Sequence, residues 1–269
     1  MRNFNFNIIS KLNFYFFYAC YKLLIPIEVK EGRVNIIATE LIWVISKFLK
    51  FKPFLIGSRS YYETKFGKFY ITPDLISTIA VSPAFERRES DRLIKLIEED
   101  LKNKKKVLFV DVGAYFGDYT VKIGNRFKKY KNLDIIAFEP DTYYLSDPTF
   151  NLLRKNVRLN NIKNIKLYKV GLGAKNAKKK NKVGIVTKRL DSVLDKKYLN
   201  KYENVYMKLD VDGYEKSVLM GAKLFIRNSK TLTLLVEDFV DNKIINYLEN
   251  DFEFISKPSV YNSFWVKNE

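Results

Sequence analysis

The sequence predicts an α/β fold: a mostly parallel, doubly wound sheet with helices on both faces. Three observations predict it. Two uninterrupted apolar runs, KVLFVD at 106–111 and LDIIAF at 133–138, have the composition of strands buried on both faces. Segments with apolar residues at helical spacing alternate with such runs along the chain. Each run stops at a carboxylate or a glycine, the residue types that shape the carboxyl edge of such a sheet.

Taken in order, Tyr61 to Ile71 reads as extended chain, with Gly67 as a hairpin turn. Glu86 to Asn103 reads as a helix, with Leu93, Ile94, Ile97 and Leu101 on one stripe. The strand Lys106 to Asp111 leads into Gly113-Ala114-Tyr115-Phe116-Gly117 and a helix reaching Phe127. Leu133 to Phe138 is the second strand and stops at Glu139-Pro140. Asp147-Pro148 reads as a helix start, Asp as N-cap and Pro at the first helical position, with the helix reaching about Leu159. Ile165 to Val170, Val205 to Asp210 and Leu232 to Glu237 are further strands, and Gly213 to Arg227 reads as one helix. Phe252 to Ser256 and Phe264 to Lys267 read as a closing antiparallel strand pair.

The chain has 269 residues, enough for one large domain with an extension. It contains no histidine, which removes the commonest general base and most zinc sites, so proton transfer falls to Asp, Glu, Lys, Tyr or water. The single cysteine, Cys20, excludes an internal disulfide and points to a reducing, cytoplasmic setting. Formal net charge is +18, and from Pro148 to Leu190 thirteen Lys and Arg stand without one Asp or Glu. A solvated face is the simpler reading of that block; an anionic partner is the alternative.

Residues 1–56 differ from the rest. They are rich in aromatic and aliphatic residues, including Phe14, Tyr15, Phe16, Phe17 and Tyr18, interrupted by Lys11 and Lys22. No run of 18 apolar residues occurs, so a spanning helix is not expected. Ile36 to Phe51 reads as a second amphipathic helix. The expected organisation is a helical extension over 1–56, packed on the domain or lying peripherally on a membrane, and a catalytic domain over 57–269.

Ligands in doubly wound sheets bind beyond the carboxyl ends of the strands, so the residues just after each strand are the candidates. Glu139 lies 22 residues past Gly117, a spacing at which a carboxylate can accept both ribose hydroxyls of an adenosine-bearing cofactor. A dinucleotide would put its pyrophosphate at the first glycine turn, where Asp111 would repel it. Asp111 would instead attract the ammonium of a methionine moiety, so S-adenosylmethionine fits better. The fourth strand ends Asp210-Val-Asp212-Gly213-Tyr-Glu215. Asp210 and Asp212 are the first candidates for taking a proton from an acceptor hydroxyl, and Glu237 the next. Glu215 reads as an acid in the first turn of a helix. Asp210, Asp212 and Glu237 could also offer oxygen ligands to Mg²⁺, but no spacing demands a metal and none is expected.

An ordered series of segments resembles the FkbM-type methyltransferase family: FVDVGAYFGDYTV at 109–121, AFEPD at 137–141, LLRKNVRLNNIKNIKLYKVGLGAK at 152–175, TKRLDSVL at 187–194, MKLDVDGYEKSVLMGAK at 207–223 and TLLVED at 233–238. The resemblance covers about residues 60 to 240. It implies a class I methyltransferase, Rossmann-like fold with a seven-stranded sheet, S-adenosyl-L-methionine as donor, and O-methylation of sugar or polyketide-type hydroxyls. It also implies that Asp111, Gly113, Ala114 and Gly117 line the methionine end, that Glu139 holds the ribose, and that Gly171 and Leu172 lie by the adenine. Asp210 would sit near the transferred methyl. Asp212 stands where the family usually shows Glu, and Tyr115 where many members carry a small or amide side chain.

The expected acceptor is thus a small molecule or glycan. A nucleic-acid methyltransferase is the alternative from the basic block, although Tyr168 is its only aromatic between 154 and 189 and single strands call for stacking platforms. A membrane-associated binding module without activity is a third reading, against which the retained Asp111, Glu139 and Asp210 speak.

Overall fold

The computed structural model describes residues 61–70, 80, 85–140, 143–144, 147–177, 184–238 and 243–268. The extension expected over 1–56, Cys20 included, lies outside the described residues. The chain opens with a hairpin, β1 (Tyr62–Thr64) and β2 (Gly67–Phe69), followed by α1 (Arg87–Lys102), β3 (Val107–Val112), α2 (Asp118–Arg126) and β4 (Leu133–Phe138). A two-residue ribbon, β5 (Tyr143–Tyr144) with β6 (Asp147–Pro148), precedes α3 (Thr149–Leu159) and β7 (Ile165–Tyr168). Next come the short parallel pair β8 (Gly171–Leu172) and β9 (Thr187–Lys188), a single 3₁₀ turn (Leu190–Ser192), α4 (Lys196–Leu199) and β10 (Asn204–Leu209). The chain closes with α5 (Glu215–Met220), α6 (Lys223–Asn228), β11 (Thr231–Glu237), α7 (Lys243–Leu248), β12 (Phe252–Ser256) and β13 (Asn262–Lys267).

Seven of these strands form one sheet in the order β12-β13-β11-β10-β3-β4-β7. The pairs among β11, β10, β3, β4 and β7 are parallel, and β13 alone runs against its neighbours. The mostly parallel sheet and the closing antiparallel pair are as the sequence predicts.

The period of two in the strands decides what each face carries. Phe109, Ile135, Tyr206 and Leu235 face one way and pack with Leu93 and Ile97 of α1 and Tyr119 and Ile123 of α2. Val110, Ile136, Met207 and Val236 face the other way and pack with Leu219, Phe225 and Ile244 of α5, α6 and α7. The same alternation puts Asp111, Lys208 and Glu237 on the α1–α2 face.

The hairpin is clamped to α3. Asn160 accepts from the Lys68 N–H at 2.9 Å and Asn156 from the Tyr70 N–H at 2.6 Å, while Phe69 meets Phe116 edge-on at 6.1 Å. The hairpin turn itself falls at Lys65-Phe66, with Gly67 the first residue of β2.

Two expected elements are corrected. The helix after Glu139 begins at Thr149; Pro148 is extended (φ −61°, ψ 130°) and belongs with Asp147 to β6. Proline's fixed φ suits an extended residue as well as a first helical one, and the ribbon partner Tyr143–Tyr144 selects the former. The helix expected over Gly213 to Arg227 is two helices parted at Gly221. A Cβ there would lie 2.0 Å from the Gly173 carbonyl oxygen, so this glycine lets the chain after β8 cross the junction.

Candidate active site

The carboxyl ends of β3, β4, β10 and β11 gather the acidic residues predicted from sequence. Asp111, in β3, is 1% exposed. One of its oxygens accepts from the Thr120 hydroxyl at 2.5 Å, and the other, Oδ1, is buried without a hydrogen-bond partner. Burial raises this carboxyl above the ordinary range, against the Lys208 charge and the Thr120 bond.

The turn after β3 holds three residues at positive φ: Gly113 (80°), Tyr115 (49°) and Gly117 (92°). Its N–H groups at Gly113 and Ala114 both donate to the Phe138 carbonyl, at 3.0 and 3.1 Å, which ties the turn to the end of β4. The Tyr115 N–H donates to Glu139 Oε2 at 2.8 Å, and the Thr149 hydroxyl donates to Glu139 Oε1 at 2.7 Å. Burial still pushes the Glu139 carboxyl up to about 7, outweighing those two bonds.

Gly113 has a role that sequence reading did not assign. A Cβ on it would lie 1.7 Å from the backbone oxygen of Asp210. The absence of a side chain there lets β10 end directly against the turn, so the glycine brings Asp210 to the site.

Asp210 follows β10 and forms an ion pair with Lys208, whose Nζ stands 2.5 Å from Oδ2. Lys208 is 4% exposed. Burial alone would raise Asp210; the Lys208 charge and hydrogen bond, with a bond from Glu237, overcome it and hold Asp210 below the usual carboxylate range. Glu237 behaves oppositely: burial, then the Asp210 charge, push it up to about 9, so it carries a proton at neutral pH. Asp212 lies exposed at φ 51°, raised by its partial burial and by Asp210. Carboxylate oxygens of Asp210, Asp212 and Glu237 all lie within 4.8 Å of one another. With Lys208 paired to Asp210 and a proton on Glu237, Asp212 is the member of this trio whose charge has no ion-pair partner among the described residues.

Other predicted residues sit apart from this cluster. Gly171 and Leu172 form β8; the Gly171 N–H donates to the Val186 carbonyl, and Leu172 is packed in the core beneath β10. Gly117 precedes α2, and a Cβ on it would meet Leu153 at 2.7 Å. Glu215 serves its own loop, accepting from the N–H groups of Val211 at 2.8 Å and Gly213 at 3.2 Å.

Lys208, Thr120 and Thr149 were not singled out from sequence. For Lys208 a signal existed: a lysine inside the apolar strand VYMKL has no solvent to reach and needs a partner charge. Nothing local marks the two threonines, whose partners lie nine and ten residues away across loops.

Sheet order, the glycine turn after the central strand and the acidic carboxyl edge define the class I methyltransferase fold. The model of the methyltransferase FkbM domain matches residues 111–254, and the chain belongs to this family. Membership makes it an enzyme of the methyltransferase class.

Several solved structures are similar to this chain at low identity. An uncharacterised protein from Listeria monocytogenes serotype 4b is 15% identical, with 64% of this chain and 66% of that one covered and a TM-score of 0.38. A SAM-dependent methyltransferase from Aquifex aeolicus is 11% identical over 65% of this chain and 89% of that one, TM-score 0.40. A putative caffeoyl-CoA O-methyltransferase from Staphylococcus aureus is 8% identical over 67% and 83%, TM-score 0.41. This chain thus spans just under two thirds of the length of the Listeria protein. No curated protein matches the chain.

The residues at the carboxyl edge fit S-adenosylmethionine, the donor expected from the sequence. Asp111 Oδ1 is a buried acceptor lacking a donor, which a methionine ammonium can supply. Each Glu139 oxygen has taken one protein donor and keeps a lone pair for a ribose hydroxyl.

Proposed function

We propose that the enzyme methylates a hydroxyl group of a sugar, glycan or similar small acceptor. The observation that carries this reading is the ion-paired Asp210 carboxylate at the end of β10, in a chain without histidine. When bound, S-adenosylmethionine supplies an electrophilic methyl group on a sulfonium, open to in-line attack by an acceptor oxygen.

In this reading Asp111 holds the methionine ammonium and Glu139 the ribose hydroxyls. Gly113, Ala114 and Gly117 shape the turn along the methionine end, and Gly171 and Leu172 lie towards the adenine. Asp210 accepts the acceptor's proton. A hydroxyl oxygen becomes strongly acidic as it forms its bond to carbon, so a carboxylate held below the usual range is still basic enough. Asp212, exposed beside it, orients the acceptor, and protonated Glu237 donates to Asp210 and fixes its direction.

The composition of residues 1–56, apolar with interspersed lysines, supports peripheral contact with an anionic membrane. Co-sedimentation of the full chain with anionic vesicles, compared with a chain lacking these residues, tests that part. Equal sedimentation would remove it.

The catalytic reading is tested by calorimetry with S-adenosylmethionine on wild type and Asp111→Ala, followed by an acceptor screen that starts with glycans. Micromolar binding lost in the variant, and methyl transfer to a hydroxyl, are expected. Transfer only to RNA, with salt-sensitive retention, would replace the acceptor class.

A further inference from the structure

Lys208 sits where two carboxylates of different duty come together. In the parallel pairing of β10 with β3, Lys208 is opposite Asp111. Cross-strand partners share a face, and so do residues two apart on one strand, which puts Asp111 and Asp210 on either side of one ammonium. Its Nζ is 2.5 Å from Asp210 Oδ2 and 5.0 Å from the centre of the buried Tyr119 ring.

We infer that Lys208 is a positioning residue that serves as the shared counter-charge of the site, holding ionised both the carboxylate that receives the cofactor's ammonium and the one beside the reacting centre. The inference rests on the cofactor reading given above for Asp111.

The surroundings leave this role to Lys208. The charged and titratable groups facing it are Asp111 from β3, Asp210 and Asp212 after β10, Glu237 from β11, Glu86 beside α1, and Asp118, Tyr119 and Lys122 from α2. Lys122, the other cation, is buried with its ammonium unbonded; it lies 4.7 Å from the Phe66 ring centre and 4.8 Å from that of Tyr119. Burial shifts Lys122 downward, which weakens it as a counter-charge, whereas the surrounding carboxylates overcome burial at Lys208 and keep it charged. For Asp111, already raised by burial, the Lys208 charge is the largest opposing influence.

Two ligands separate this role from a packing role. S-adenosylhomocysteine carries the amino-acid end that Asp111 would receive, while 5′-methylthioadenosine lacks it and keeps the ribose for Glu139. The ratio of their affinities therefore reads Asp111 and cancels the titration of Glu139. Both affinities are to be measured by calorimetry between pH 5.5 and 8 on wild type, Lys208→Met and Lys208→Gln, with circular dichroism to verify folding. Met keeps the length of the side chain but removes one partner of a buried ion pair, a change that destabilises a fold; Gln keeps a hydrogen-bond donor to Asp210 and serves as the second variant if Met does not fold.

In wild type the ratio is expected to stay within about threefold across that range, while in the variants it falls about tenfold at the acid end, the effect of roughly one unit of upward shift in Asp111. A ratio as flat in the variants as in wild type overturns the role of Lys208. A wild type that binds both ligands equally at every pH removes the ammonium site at Asp111 itself, a separate failure that takes the inference with it.

Discussion

The backbone N–H of Tyr115 donates to the Glu139 carboxylate at 2.8 Å, and this bond joins the turn after β3 to the end of β4. Tyr115 holds a left-handed conformation (φ 49°), costly for a residue with a Cβ. The bond offsets part of that cost and fixes Glu139 against the turn before any ligand arrives.

Cofactor binding is expected to release protons near neutral pH. Glu139 stands at about 7 because of its burial, so a sizeable fraction is protonated in the free enzyme at that pH. Ribose hydroxyls donate to the charged form and pull the group down, so its proton leaves. Calorimetry of S-adenosylhomocysteine binding at pH 7 in buffers of different ionisation enthalpy measures that release. Glu139→Gln should abolish it and weaken binding by about 1–3 kcal/mol; equal heats in all buffers for wild type would contradict the assignment.

Gly113→Ala is expected to destabilise the protein, by more than about 2 kcal/mol, even without ligand. The new methyl group would meet the Asp210 backbone oxygen, and φ at this position is 80°. Urea unfolding of the variant provides the check. An unchanged midpoint with lost cofactor binding would mean that the glycine serves only the ligand.

Stability should fall as pH rises from about 5 to 9. Asp118 is raised to about 6, Glu86 to about 7 and Glu237 to about 9, burial being the first cause in each. A raised carboxyl binds its proton more tightly in the folded chain, so its stabilising contribution is complete below the unfolded value and is lost as pH passes the folded value. Denaturant midpoints at intervals across this range follow the loss. Glu237→Gln should remove the part of the slope nearest pH 9 and leave the rest.

Methyl transfer is expected to persist in EDTA. Lys208 pairs with Asp210, and Glu237 carries a proton at neutral pH, which leaves Asp212 as the one unpaired charge of the three for a divalent ion. Turnover before and after chelation is the measurement. Activity that disappears and returns only with added Mg²⁺ would make Asp210, Asp212 and Glu237 its ligands.

Asp210→Asn should lower turnover by about 10²-fold or more while cofactor affinity stays within about threefold, because the change removes a base and keeps the side chain's shape. Asp212→Asn, at an exposed position, should act mainly on KM for the acceptor. Steady-state kinetics with the acceptor found by screening separates the two. Full turnover in Asp210→Asn would move the proton acceptor elsewhere.

The sequence by itself determined the sheet and the acids along its edge. Apolar runs of six residues can be satisfied only by burial on both faces; that Asp111, Lys208 and Glu237 share one side follows from the register between strands, which the structure supplies. The sequence also determined, through the missing histidines, that any proton chemistry falls to Asp, Glu, Lys, Tyr or water. Tertiary structure decided what depends on approach between distant segments. That Gly113 is bare because Asp210 presses on it, that the Gly213–Arg227 helix breaks where the Gly173 backbone crosses, and that Thr149 reaches back to Glu139 are contacts between strands and loops. Local pattern carries no record of them. The division of charge at the site was decided there too: Asp210 and Glu237 are both acids at strand ends, but the buried ammonium bonded to Asp210 keeps that one a carboxylate, while burial and the neighbouring Asp210 charge keep Glu237 an acid.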